Sequence, residues 1–244
     1  ANFSNNASGA SFTVQNGKDF AWSGGTLVND GQFTVGTGST FNLTGGTIGG
    51  GGTLTVYGTL NWKGLGGMAS SGKTVIAQGG TLTIEGLGAG HGGLGRTIDN
   101  HGTTIFKSNA RFDWGEGAVF NNHQDGLVEF QGDTIIYLYP SGSPVFNNMG
   151  TLRRSSGAGE VLFDGVPLNN TGKVEAQNGV IRITGGTING EFSTAQGGEV
   201  HFTGQTQVPE DGARFTGSGK CIIGGSLELK GNVTSEAGVT FNLA

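Results

Sequence analysis

Short runs of alternating apolar and polar residues follow one another along the whole chain. Phe12-Thr13-Val14, Phe33-Thr34-Val35 and Leu54-Thr55-Val56 recur at a spacing of 21 residues, and so do Phe20, Phe41 and Trp62. Alternation with a period of two marks a strand with one face buried. The intervening turns keep step: Gly24-Gly25-Thr26-Leu27 returns as Gly45-Gly46-Thr47-Ile48 and, more loosely, as Gly66-Gly67-Met68-Ala69. A second form of the unit fills the middle of the chain. Ile98-Asp99-Asn100-His101-Gly102, Phe120-Asn121-Asn122 up to Gly126, Phe146-Asn147-Asn148-Met149-Gly150 and Leu168-Asn169-Asn170-Thr171-Gly172 close on glycines 24, 24 and 22 residues apart. Strands such as Leu127-Val128-Glu129-Phe130 and Lys173-Val174-Glu175-Ala176 follow them. Towards the end the first form returns, with Gln177-Asn178-Gly179 echoing Gln15-Asn16-Gly17 and Ile183 to Ile188 echoing Trp22 to Leu27.

Strands repeating every 19–24 residues, with no helical pattern between them, predict a coil per repeat and parallel sheets between coils. The expected fold is all-β, a right-handed parallel β-helix over 1–244 as a single domain. At about 4.8 Å per coil, roughly eleven coils make a rod on the order of 50 Å long. An antiparallel sandwich also has short strands, but self-similarity at 21 residues is not its habit. Glycine is expected at positive-φ corners, and stacked asparagines are expected to form a ladder between coils. The segment Gly86 to Arg96 has the composition of a loop and falls where the two forms of the unit meet, so it is expected to protrude.

Composition supports this reading. The 244 residues include 51 Gly, 27 Thr and 19 Asn, all poor in helix interiors, while 15 Phe spread over the length supply a thin core. A formal charge of −5 gives no electrostatic footprint for nucleic acid. No stretch approaches the roughly 18 apolar residues needed to span a bilayer, so membrane insertion is not expected. The single Cys221 lies in an apolar run and is expected to be buried.

The strings Phe146-Asn147-Asn148-Met149-Gly150-Thr151-Leu152, Leu168-Asn169-Asn170-Thr171-Gly172-Lys173-Val174 and Ile183-Thr184-Gly185-Gly186-Thr187-Ile188 resemble the repeats of bacterial surface and secreted proteins of the adhesin or autotransporter-passenger type. The resemblance covers most of residues 98 to 233. It implies extracellular or cell-surface display, and it transfers no functional residue.

Candidate chemistry is sparse. Gly88-x-Gly90-x-x-Gly93 has the letters of a dinucleotide fingerprint, but no helix pattern follows it. The four histidines lack paired ligand spacing, so neither metal nor cofactor is expected. The strongest departure from the repeat is Arg111-Phe112-Asp113-Trp114-Gly115-Glu116, followed one coil later by Tyr137 and Tyr139. Counted from Gly102 and Gly126, Asp113 and Tyr137 occupy equivalent positions and share a face. Arg111, Asp113, Trp114, Glu116, Tyr137 and Tyr139 are therefore the candidate carbohydrate-binding residues, with rings for pyranose faces and charged groups for hydroxyls. The carboxyl pair Asp113 and Glu116 also raises glycosidic cleavage. Thr-x-Thr at Thr53 and Thr81 raises ice binding, though charged residues interrupt the ranks.

The expected function is a non-enzymatic extracellular structural or adhesive solenoid, with self-association, end-to-end or lateral, or a cell-surface glycan as its partner. The alternative is a polysaccharide-binding or polysaccharide-cleaving β-helix using residues 111–139.

Overall fold

The structure, a computed structural model, describes all residues except 1, 7–8, 87–92, 108–109, 116, 140–141, 205–206, 209–211, 227–230, 237, 239 and 244. Every strand pairing within it is parallel, the described residues contain no helix, and the strands stack as a β-solenoid of about 10 turns. Each turn presents three faces. The first is built from Ser11–Val14, Gln32–Val35, Thr53–Val56, Lys73–Ile76, Thr97–Asn100, Val119–Asn122, Val145–Asn148 and Leu168–Asn170 in that order. Gly186–Thr187 and Gln207–Val208 continue it through an Asn170–Ile188 bridge. The second face runs from the first half of Asp19–Asn29 to Val233–Ser235. On the third, the second halves of Asp19–Asn29 and Thr40–Gly49 lead to Gly67–Met68 and, through a lone bridge at Leu94, to Trp114. From Ala110–Trp114 onward this face is a regular 7-stranded sheet ending at Thr240–Leu243.

The alternation read from the sequence sets the core. Phe33, Leu54, Leu60, Ile98, Phe120, Phe146, Val174 and their equivalents are buried, while the residues between them face outward. Parallel register sets like side chains over like. Phe106 stacks on Phe130 at 4.6 Å between centroids, and Phe120 on Phe146 at 4.7 Å, close to the ~4.8 Å rung spacing.

The paired asparagines of the second unit form two ladders, because successive residues of a strand point to opposite faces. Inside, Asn100 Nδ2 donates to Asn122 Oδ1 at 2.8 Å, Asn122 to Asn148 at 2.7 Å and Asn148 to Asn170 at 2.7 Å. All four are fully buried. Each of the first three also donates to a carbonyl one coil on: Leu127, Thr151 and Lys173 respectively. Outside, Asn121, Asn147 and Asn169 repeat the arrangement up to Asp99.

Register departs from simple counting at the corners. Phe41 pairs with Leu60, and Trp62 lies beside Leu43, so the 21-residue equivalence of Phe20, Phe41 and Trp62 does not hold across the third coil. The corner Tyr57-Gly58 is two residues shorter than Gly36 to Ser39, and an even shift keeps every inward residue inward. A side chain at Gly58 would meet the Ser39 carbonyl oxygen at 2.3 Å. The echo of Trp22–Leu27 in Ile183–Ile188 is one face out of phase: Trp22 ends a second-face run, Ile183 a third-face strand. It repeats corner chemistry rather than position in the coil. Glycine also serves two purposes. Gly25 and Gly46 hold φ of 80° and 74°, as expected at corners. The closing glycines of the second unit instead make room, since a Cβ at Gly150 would lie 2.2 Å from the His123 carbonyl oxygen.

Of the predicted Gly-rich loop, residues 87–92 lie outside the described residues, whereas Leu94 and Arg96 are buried within the stack. Cys221 is buried beside Val200, and burial pushes its thiol up to about 12.

Asn122→Ala should strip partners from Asn100, Asn148 and the Thr151 carbonyl at once. At about 1–3 kcal/mol per unsatisfied buried group, the expected loss is about 3 kcal/mol or more in urea unfolding, against about 1 kcal/mol or less for Asn121→Ala on the outer ladder. Equal losses at the two positions would contradict the inner ladder's role.

Candidate functional site

Strands Ala110–Trp114 and Thr134–Leu138 lie side by side on the third face, and their register sets Asp113 against Tyr137, as counting from the glycines predicts. Phe112 and Trp114 point inward and are fully buried. Trp114 packs edge-on against Phe112 and parallel to Phe146, so it fills the core and is out of reach of an external sugar. Alternation forces this outcome: with Asp113 outward, both its neighbours face in. Glu116 lies outside the described residues.

The remaining candidates come together on the outer surface. Arg111 Nε donates to an Asp113 carboxylate oxygen at 2.6 Å. Its guanidinium carbon lies 3.8 Å from the Tyr137 ring centroid and 5.6 Å from that of Tyr139. That hydrogen bond raises the Arg111 pKa above its ordinary value, with slight desolvation opposing it and the Asp113 charge adding to it. Tyr139 is 49% exposed and offers a ring to solvent, whereas Asp113 is buried. Asp113, Tyr139, Met68 and Leu94 line a cleft of about 170 Å³. This is smaller than the roughly 300–1,000 Å³ of ordinary small-molecule pockets, and suits the edge of one ring.

Two features were not singled out from the sequence. His101 and His123 stack in adjacent coils, 4.0 Å between centroids and 7° between planes, with Asp125 3.0 Å from His101 Nδ1. They hold the same position after the paired asparagines, so coil alignment could have found them. Two arginines also turn inward. Arg153 and Arg154, adjacent in sequence, separate: Arg153 binds Glu175 outside at 2.6 Å, while Arg154 is fully buried. Arg154 reaches Asp133 at 2.7 Å and the Asn178 carbonyl at 2.8 Å. Arg96, 2% exposed, is the other. Both stand at inward positions of alternating runs, a signal that residue type obscured.

Thr40, Thr59, Thr81 and Thr103 share one column of the second face. The column then passes to Leu127, beside a neighbouring column that carries Glu129 and Arg153.

No protein-family model matches this chain, and neither a curated protein nor a solved structure matches it significantly. What the geometry defines is a class, a three-faced parallel β-solenoid carrying a small Arg–Tyr surface cluster.

Trp114→Ala should cost about 3–5 kcal/mol in urea unfolding, as expected for a buried aromatic. A loss below about 1 kcal/mol would show that the ring is not packed as described.

Proposed function

We propose that this chain is a non-enzymatic structural rod of a surface-displayed or secreted protein, providing reach and a long face for self-association or attachment. The observation that supports this reading is the continuity of the ladders. The second face pairs strand to strand along the whole stack of about 10 turns, the other two are joined across their gaps by single bridges, and an inner amide ladder runs through the middle coils. Such a stack ties each described strand's backbone to a neighbouring coil, which holds those strands closed to a protease. The resemblance of the paired-asparagine repeats to bacterial adhesin and passenger repeats agrees with it.

Purified protein is expected to resist trypsin and to self-associate in sedimentation velocity or attach to cells. A strictly monomeric species that binds neither cells nor glycans would count against the proposal.

A second reading is favoured by one specific observation, the half-exposed Tyr139 ring beside the Arg111–Tyr137 stack. In this reading the cluster holds a sugar, Tyr139 packing on its face and Arg111 bonding its hydroxyls. Tyr139→Ala should then lower retention on an immobilised glycan about tenfold while the unfolding midpoint stays unchanged. Undiminished retention in that variant, or none in the parent on a glycan array, refutes it.

A further inference from the structure

We infer that Arg96 and the cleft beside it form a binding site for an oxyanion: a carboxylate, sulfate or phosphate group. Arg96 precedes the strand Thr97–Asn100 and holds an inward position, in step with Ile98 and Asn100. Because Thr97 pairs with Lys73 above and Val119 below, its neighbours along the axis are Gly72 and Ala118. The guanidinium fits only because Gly72 has no side chain; a Cβ there would lie 2.4 Å from Nη2.

Nη2 is satisfied, donating to the Gly52 carbonyl at 3.1 Å and the Lys73 carbonyl at 2.9 Å. Nε and Nη1 are buried and have no hydrogen-bond partner among the described residues. No carboxylate pairs with Arg96 among the described residues, in contrast to Arg154, which has Asp133. Burial lowers its pKa to about 10, which leaves it charged at neutral pH. An unpaired buried cation is among the costliest arrangements in a protein interior, and a counter-ion removes most of that cost.

Space for one adjoins it. Arg96 lines a cleft of about 300 Å³ together with Ser70, Ser71, Gly95, Thr97 and Gly117. Three hydroxyl-bearing residues thus line the cleft with Arg96, whose idle Nε and Nη1 lie beneath its surface. Ser70, at φ 72°, is the one non-glycine among the described residues in the left-handed region, a strain that clusters at functional sites. Among the described residues, the side chains that line the cleft supply donors and no carboxylate, so they suit an anion. Gly95 also lines the cleft of Asp113 and Tyr139, so the anionic group could be free or carried on a saccharide. The site itself does not depend on the glycan reading.

Isothermal titration of the full chain with sodium phosphate, sulfate, acetate and glucuronate, at constant ionic strength in chloride, tests it. At least one is expected to bind saturably at one site per chain. Binding of inorganic anions identifies a free-anion site, and binding of glucuronate alone a saccharide carboxylate. Arg96→Met should weaken binding at least about tenfold. Should that variant not fold, Ser71→Tyr fills the cleft from an exposed position with Arg96 in place and should abolish binding while the melting curve is retained. Absence of saturable binding for all four up to about 50 mM, or undiminished binding in the folded variants, overturns the proposal and leaves Arg96 as a fastener between coils.

Discussion

The backbone of each coil is completed only by the coils above and below it, and everything else in this molecule follows from that dependence. Parallel pairing at a fixed rise of about 4.8 Å allows no one-residue slippage of one rung against the next without turning its inward residues outward. A residue therefore meets its own equivalent, and interior chemistry becomes columnar. Phenylalanine stacks on phenylalanine, and an amide, costly when alone, becomes cheap when another amide lies directly above it. The inner asparagines are tolerated because there are several of them in line; a single one at the same place would lack its donor or its acceptor.

The same constraint explains which parts of the architecture could be read from residues alone. Equivalences inside a face were legible wherever a motif was repeated, as with Gly102, Gly126, Gly150 and Gly172, whose neighbours pair as counted. Corners were not, since their lengths vary by even steps that leave the burial pattern intact. The shift that sets Trp62 beside Leu43 preserves alternation and so leaves no mark on it. The third face was the least legible. In the fourth coil it narrows to Leu94, a lone bridge between Met68 and Trp114 amid glycines.

The candidate site was half legible. Counting coils placed Asp113 beside Tyr137, and the structure adds that Arg111 lies over the Tyr137 ring. Residue type puts Trp114 in the sugar-binding set, although alternation from Asp113 turns it inward. Arg96 shows the opposite bias. Its charge marks it as a surface residue, and only its phase with Ile98 and Asn100 reveals that it faces the core.

Two buried arginines in one thin core invite comparison, because they meet the cost of burial differently. Arg154 takes the place of the aromatic column of Phe106 and Phe130 and carries its counter-charge within the chain, as Asp133. Its charge is met within the chain, although its Nη1 too is buried without a partner among the described residues. Arg96 sits where the axial neighbours are Gly72 and Ala118, so a leucine could have filled the gap more cheaply than a cation with two idle donors. Holding a charge there without an internal partner makes physical sense if the partner comes from outside. The cleft that Arg96 lines brings three hydroxyl-bearing residues, the strained Ser70 among them, next to it.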